Sequence, residues 1–82
     1  MILVDVFVPS VDTVYDFQLD ENAVIGMLVE EMGEMVGQKE HGQIGGNVEK
    51  LCLCSLDSRR ILPKNRTLAE CEIVTGDKLM LL

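Results

Sequence analysis

The first nineteen residues predict a β-hairpin, because apolar side chains alternate along two segments that a turn separates. In residues 2–8 the carboxylate of Asp5 decides which set faces inward, since an unpaired buried charge is costly. The inward set is therefore Ile2, Val4, Val6 and Val8. Pro9 ends this strand, and residues 13–19 alternate again, with Tyr15, Phe17 and Leu19 on one side and Val14, Asp16 and Gln18 on the other.

The segment after the hairpin predicts an amphipathic helix. Asp20 or Asn22 can cap it, and apolar residues then recur at helical spacing. The stripe consists of Val24, Ile25, Leu28, Val29, Met32, Met35 and Val36. Met32 and Met35 could suggest a soft metal site, but methionines in an aliphatic stripe usually fill gaps in a core. Leu28 and Met32 are therefore expected in the core. Gly37 is the expected stop, followed by a flexible Gly-rich loop over about residues 37–49.

The remaining residues predict three more strands and one short helical turn. Strands are expected at residues 50–56, 60–62 and 78–82, with Leu79 and Leu81 buried, and Thr67 is expected to cap a turn that runs to Cys71. In the first of these strands Cys52, Cys54 and Leu56 share one face, which we expect to be the core face, and Leu51, Leu53 and Ser55 share the other. The predicted class is α+β: a five-stranded mixed sheet on one main helix.

Composition limits the chain to a single small domain over residues 1–82. The net charge is −7, which argues against nucleic acid as a partner, because phosphates would be repelled. Apolar runs are too short to cross a bilayer, and three irregularly spaced cysteines favour reduced thiols in the cytoplasm. A basic group can either contact an acidic protein surface or lie solvated in turns; it comprises Arg59, Arg60, Lys64 and Arg66.

The sequence offers no residues arranged for catalysis, a metal or a cofactor. His41 is the only histidine and lies in the Gly-rich segment, where a nucleophile would need the loop to be held against it. Cys52, Cys54 and Cys71 could be imagined with His41 as a zinc site, but two cysteines that alternate with leucines are better explained as small buried hydrophobes. We therefore expect no enzyme, no metal and no cofactor.

The segment Arg66 to Leu82 resembles the end of a ubiquitin-like β-grasp domain, with an Arg-Thr-Leu start, a buried Ile73 and an alternating final strand. The flexible Gly-Gly tail of ubiquitin is missing, so no conjugation is expected. The N-terminal strand, the motif Thr75-Gly76-Asp77-Lys78-Leu79 and the absent tail are most similar to the YukD/EsaB family of bacterial type VII (WXG100, Esx-type) secretion systems. The resemblance covers nearly the whole chain, apart from residues 38–49. It implies a cytoplasmic accessory or regulatory component that binds subunits of the secretion machinery, without direct contact with the membrane.

Two other functions remain open at this point: a ubiquitin-like scaffold unconnected with secretion, and a sulfur carrier, whose chemistry needs the missing Gly-Gly terminus. If the strands take the β-grasp order, an apolar patch is expected opposite the helix, and such patches usually mark a contact surface. The predicted patch comprises Leu3, Phe7, Leu51, Leu53, Met80 and Leu82. The alternatives for this face are cover by the 38–49 loop or self-association into a homodimer.

Overall fold

One sheet and one helix form the computed structural model, which describes residues 1–39 and 51–82. The elements are β1 (Ile2–Val8), a 3-10 turn (Pro9–Val11), β2 (Thr13–Leu19), α1 (Ile25–Lys39), β3 (Leu53–Ser55), β4 (Arg60–Ile61) and β5 (Lys78–Leu81). The strand order is β2-β1-β5-β3-β4. β1 and β5 are parallel, and the other neighbours are antiparallel. The predicted α+β, β-grasp architecture is confirmed.

The N-terminal hairpin is as predicted. Val4, Val6 and Val8 are buried, whereas Asp5 lies on the opposite face of β1. The turn between β1 and β2 closes with Asp12 in the left-handed region (φ 49°), and the Asp12 amide donates to the Pro9 carbonyl at 3.1 Å. Aspartate tolerates this conformation better than most residues, so the chain reverses there without glycine.

The start of α1 differs from the prediction, because neither predicted residue caps it. The Asp20 carboxylate accepts a hydrogen bond from the Asn22 amide at 2.9 Å, in a turn that precedes the helix. The first helical amides, those of Ile25 and Gly26, donate instead to the carbonyls of Arg66 and Lys64, at 2.8 and 3.0 Å. A distant loop thus satisfies donors that a capping side chain would otherwise serve. Val24, predicted on the apolar stripe, is exposed before the helix and forms an isolated β-bridge with Thr67.

The buried face of α1 confirms the prediction for Leu28 and Met32, which lie in the core with Ile25, Val29 and Val36. Met35 was wrongly included, because it lies at the margin of the stripe and its side chain is exposed. Gly37 does not stop the helix, which continues to Lys39. Gly37 lacks the positive φ that a glycine stop adopts, and glycine within a helix costs only about 1 kcal/mol relative to alanine. The rest of the predicted 37–49 loop lies outside the described residues.

The two faces of β3 are the reverse of the prediction. Leu53 is paired with Leu81, and Cys54 with Met80. Directly paired residues lie on the same face of a sheet, so Leu53 faces α1 with Leu81 and has no exposed surface. Leu51 also packs against the core, on the same side. Leu51 and Leu53 therefore belong to the hydrophobic core and are not part of an exposed patch.

The predicted helical turn after Thr67 is present. The Thr67 hydroxyl accepts a hydrogen bond from the Glu70 amide at 3.1 Å, and the Glu70 carboxylate accepts one from the Thr67 amide at 3.0 Å. This reciprocal pair is a capping box. The turn then closes through the Cys71 amide, which donates to the Thr67 and Leu68 carbonyls. It carries Leu68 into the core and positions the chain to enter β5.

Candidate protein-binding face

The face of the sheet opposite α1, here called the outer face, carries an apolar row that crosses all five strands. Strand register alone places the row, since each pair of neighbours is directly opposed. In strand order from β2 to β4 the apolar row is Val14, Phe7, Met80, Cys54 and Ile61. Its two ends are its most exposed members, at 59% for Val14 and 68% for Ile61. With neighbouring strands ~4.8 Å apart, the row is about 19 Å long.

A second row runs beside the apolar row and carries charge. It begins on β2 with Asp16, which is directly opposite Asp5 on β1, and Asp5 is in turn paired with Lys78 on β5. The row continues through Leu56, whose amide donates to the Lys78 carbonyl at 2.9 Å, to Arg59 at the other end of the β3 to β4 turn. The charged row is therefore acidic at its β2 end and basic at its β4 end.

The acidic end contains two carboxyl groups in direct cross-strand opposition. A hydrogen bond with the Asp5 side chain, and then repulsion from its negative charge, raise the pKa of Asp16 above its ordinary value of 3.8. Like charges directly opposite each other destabilise a sheet. Asp5 also has Lys78 as a direct cross-strand neighbour, whereas among the described residues Asp16 is directly opposed only by Asp5. A cation that approaches Asp16 would therefore relieve the repulsion between the two carboxyl groups.

The basic end borders an open apolar depression of about 300 Å³. Cys54, Ile61 and Met80 form much of its lining, and Leu56 and Arg59 line the side nearest the turn. Arg59 adopts a left-handed conformation (φ 55°), and within residues 1–39 and 51–82 its guanidinium has no ion-pair partner. The depression is suited to an apolar side chain whose neighbour carries a negative charge.

Four of the six predicted patch residues do lie on the outer face. Phe7 and Met80 are direct neighbours in the apolar row, and Leu82 follows two residues after Met80. Leu3 lies on the same face but beyond Asp5, so the charged row separates it from Phe7. Leu51 and Leu53 are in the core, as described above. The predicted patch and the apolar row thus share only Phe7 and Met80, and partner binding at this face stays a prediction.

The predicted basic group does not converge on one site. The Arg60 guanidinium donates from Nη2 to the Cys71 carbonyl at 2.6 Å, and Arg66 lies 3.6 Å from the Glu70 carboxylate. Lys64 belongs to the loop whose carbonyls receive the first amides of α1. Arg59 and Arg60 both line the depression beside the apolar row. Because the Arg60 guanidinium is already bound to the Cys71 carbonyl, Arg59 is the member of the group that we consider further on the outer face.

The cysteine thiols are largely buried and do not form a metal-binding group within the described residues. Cys54 is 8% exposed, although it lies on the outer face, because Met80 and Ile61 flank it. Burial raises the pKa of the Cys54 thiol, and the neighbouring Cys52 contributes in the same direction. Among the described residues no three His, Cys, Asp or Glu side chains are grouped so as to hold a metal ion. His41, the fourth member of the zinc hypothesis, lies outside the described residues.

Sequence reasoning missed Val14 and Ile61 as members of the candidate site, and it named Arg59 only as a member of the basic group, without placing it beside the apolar row. Alternation along β2 groups Val14 with Asp16 and Gln18 on one face of the strand. Val14 is the apolar residue among these three, and this is the signal that could have identified it. Ile61 and Arg59 could be found only from the register of β4 against β3, which a two-residue strand does not reveal in sequence.

The relationship to known proteins agrees with this geometry. A family model described as the WXG100 protein secretion system (Wss) protein YukD matches residues 3–81. The chain belongs to the YukD family. This confirms the resemblance drawn from its terminal motif, and with it the assignment to type VII secretion. A search of curated proteins gave no significant match.

Solved structures confirm the ubiquitin-like fold of this YukD-family chain. The EccD5 ubiquitin-like domain from Mycobacterium xenopi superposes with a TM-score of 0.77 at 24% identity, over 99% of this chain and 91% of that one. A chain of the MycP5-free ESX-5 inner membrane complex in State II gives a TM-score of 0.79 at 19% identity, over 99% of this chain but only 20% of that one. The ubiquitin of Caldiarchaeum subterraneum gives 0.73 at 17% identity, over 98% and 89%. At these identities the likeness establishes the fold.

Within the described part of the chain, no helix has the length and apolar character needed to span a bilayer.

Proposed function

We propose that this YukD-family chain is a non-catalytic protein-binding module that works as a cytoplasmic accessory or regulatory component of a WXG100 secretion system. The observation that supports binding is the apolar row, because it leaves branched aliphatic side chains exposed at both ends and is bordered by charge. Monomeric proteins rarely leave a contiguous apolar surface of this kind without a use for it. Family membership supports a subunit of the secretion machinery as the partner.

A non-catalytic role is supported by the state of the thiols. Reactivity requires an accessible thiolate, whereas burial raises the pKa of the Cys54 thiol and Cys71 is also buried. The backbone of Leu82 pairs with that of Cys52: its amide donates to the Cys52 carbonyl at 2.9 Å and its carbonyl accepts from the Cys52 amide at 2.7 Å. Because Leu82 is held in the sheet in this way, we propose that it is not a site of conjugation. Intact-mass measurement of the protein from its native cells tests this, since an adduct at Leu82 would contradict the proposal.

The binding role is tested with a matched pair of variants. Ile61→Asp places a charge in the apolar row, and Met27→Asp places the same charge at a comparably exposed position on α1, at 58% against 68%. Both variants are expected to fold. In cells that make the native secretion system, each tagged variant is purified and the co-purifying system subunits are quantified by mass spectrometry, together with secretion of WXG100 proteins.

We expect Ile61→Asp to lose the co-purifying subunits and to reduce secretion, and Met27→Asp to behave as the unmodified chain. Equal recovery with both variants would refute the outer face as the binding surface. Unchanged secretion in cells that lack the protein altogether would refute the role in secretion and would favour a scaffold unconnected with it.

A further inference from the structure

The outer face is self-complementary. β5 is the central strand, with β1 and β2 on one side and β3 and β4 on the other. Val14 on β2 and Ile61 on β4 therefore lie at equal distances of about 10 Å from Met80, two strand spacings each way. In the charged row, Asp16 and Arg59 lie at the same two ends. The two ends of the apolar row are therefore chemically alike, whereas the two ends of the charged row carry opposite charges.

We propose that two copies of this chain pack outer face against outer face, related by a twofold axis that runs parallel to β5 between the two Met80 side chains. A half-turn about this axis exchanges the β2 and β4 ends of the sheet. Val14 then lies over Ile61 of the second copy, Phe7 over its Cys54, and Asp16 over its Arg59. Such an interface is isologous, so each of these contacts occurs twice.

The orientation agrees with how sheets pack. Face-to-face sheets keep their strand directions within about 30° of each other, and an axis parallel to the strands preserves that direction. The depression beside Ile61 and Arg59 has room for Val14 of the second copy, while Asp16 reaches the guanidinium at its rim. The same approach brings a cation to Asp16, whose carboxyl group is directly opposed by that of Asp5, while Lys78 of the same chain is paired with Asp5 and not with Asp16.

One contact in this arrangement is unfavourable, because Lys78 lies opposite Lys78 of the second copy near the axis. Each Lys78 has Asp5 as its direct cross-strand neighbour, and both side chains are long and exposed, so they can separate. The face is also small: a sheet about 19 Å wide buries less than the ~800 Å² per partner of a standard stable interface. The proposed dimer is accordingly weak, and its population rises over about 10 µM to 1 mM protein.

This inference rests on the proposed function, because it takes the outer face to be a binding surface. It goes further by naming a second copy of the chain as one protein that binds there. Because both occupants would cover the same row, the dimer is expected to exclude a secretion subunit. The two ideas fail separately: the oligomeric state is measured on purified protein with no other component present, whereas subunit recovery is measured in cells.

The test is a charge exchange followed by sedimentation velocity and light scattering at low salt. Asp16→Arg opposes two arginines in each contact, and Arg59→Asp opposes two aspartates, so each variant alone is expected to weaken the dimer at least about tenfold. An equimolar mixture of the two restores both attractive pairs and is expected to form heterodimers with about the affinity of the unmodified protein. The double variant Asp16→Arg/Arg59→Asp is expected to dimerise again by itself.

A matched control is Glu30→Arg, which makes the same change of charge at an exposed position of α1 and is expected to leave the dimer unchanged. The proposal is overturned if the unmodified protein remains monomeric at about 1 mM, or if Asp16→Arg and Arg59→Asp dimerise normally. It is also overturned if the mixture and the double variant stay monomeric while circular dichroism shows that all of them are folded.

Discussion

Truncation of Leu53 to alanine tests the orientation of β3 directly. Leu53 has no exposed surface and packs in the core with Leu62, Leu81 and the buried face of α1. Removing a buried leucine side chain beyond Cβ forfeits its transfer free energy and leaves a cavity, at a cost of about 2–5 kcal/mol. Ile61→Ala, on the neighbouring β4, removes a similar side chain from the outer face, where it is mostly exposed, and should change stability by no more than about 0.5 kcal/mol.

These magnitudes are large relative to the stability of the domain. At roughly 0.05–0.15 kcal/mol per residue, 82 residues correspond to a free energy of unfolding of about 4–12 kcal/mol. A loss near 3 kcal/mol would lower the Tm by roughly 12–24 °C in a domain of this size. The two variants should therefore differ plainly in both urea and thermal unfolding.

The assay is urea unfolding followed by circular dichroism, with m-values compared to confirm that the same surface is exposed in each protein. The orientation derived from the pairing of Leu53 with Leu81 is wrong if Leu53→Ala stays within about 0.5 kcal/mol of the unmodified chain. It is equally wrong if Ile61→Ala costs as much as Leu53→Ala, because an outward side chain cannot leave a cavity in the core.

Two further predictions follow from the outer face. Asp16→Asn should raise the Tm at pH 7, because it removes the negative charge that faces Asp5. The pKa of Asp16 is raised in the folded state, so protonation of Asp16 stabilises the fold. This stabilisation is complete below about pH 3.8 and is lost as the pH rises through the folded-state pKa. The advantage of Asp16→Asn should accordingly shrink as the pH falls toward 3.8, and an advantage that grows in acid would contradict the Asp5 contact. Native Cys54 should react with a thiol reagent more slowly than the half-buried Cys52; mass spectrometry of peptides after timed labelling measures both, and equal rates would show that the outer face does not shield Cys54.

The sequence predicted those elements in which a single residue breaks the symmetry between two faces. In β1 the charge of Asp5 excludes one of the two possible orientations, and the structure agrees. In α1 the spacing of Leu28 and Met32 defines one stripe, and both are buried. The capping box at Thr67 is likewise a local signal, because the two side chains that satisfy the amides are three residues apart.

The sequence could not predict β3, because both of its faces are apolar. Leucines alternate with cysteines, and the face that carries Leu51, Leu53 and Ser55 was predicted to point away from the core. In the structure Ser55 is buried, and its hydroxyl accepts a hydrogen bond from the Ser58 amide at 3.2 Å, which removes the penalty for burial. The orientation of β3 is decided by its pairing with β5, which is contact information that no local pattern contains. The apolar row depends on the same pairing, so the sequence predicted only Phe7 and Met80 among its members.

The central position of β5 has a consequence for the order in which the chain can fold. Its partner β1 lies at the other end of the sequence, and the contact between Asp5 and Lys78 closes a loop of more than seventy residues. Without β5 the two hairpins β1 to β2 and β3 to β4 share no hydrogen-bonded edge. During synthesis on the ribosome the β1 to β2 hairpin and α1 are therefore made before β5. Until β5 is available, the edge of β1 and part of the apolar face of the hairpin stay uncovered. Contacts this distant in sequence make folding slow, and the waiting hairpin is the species most exposed to aggregation.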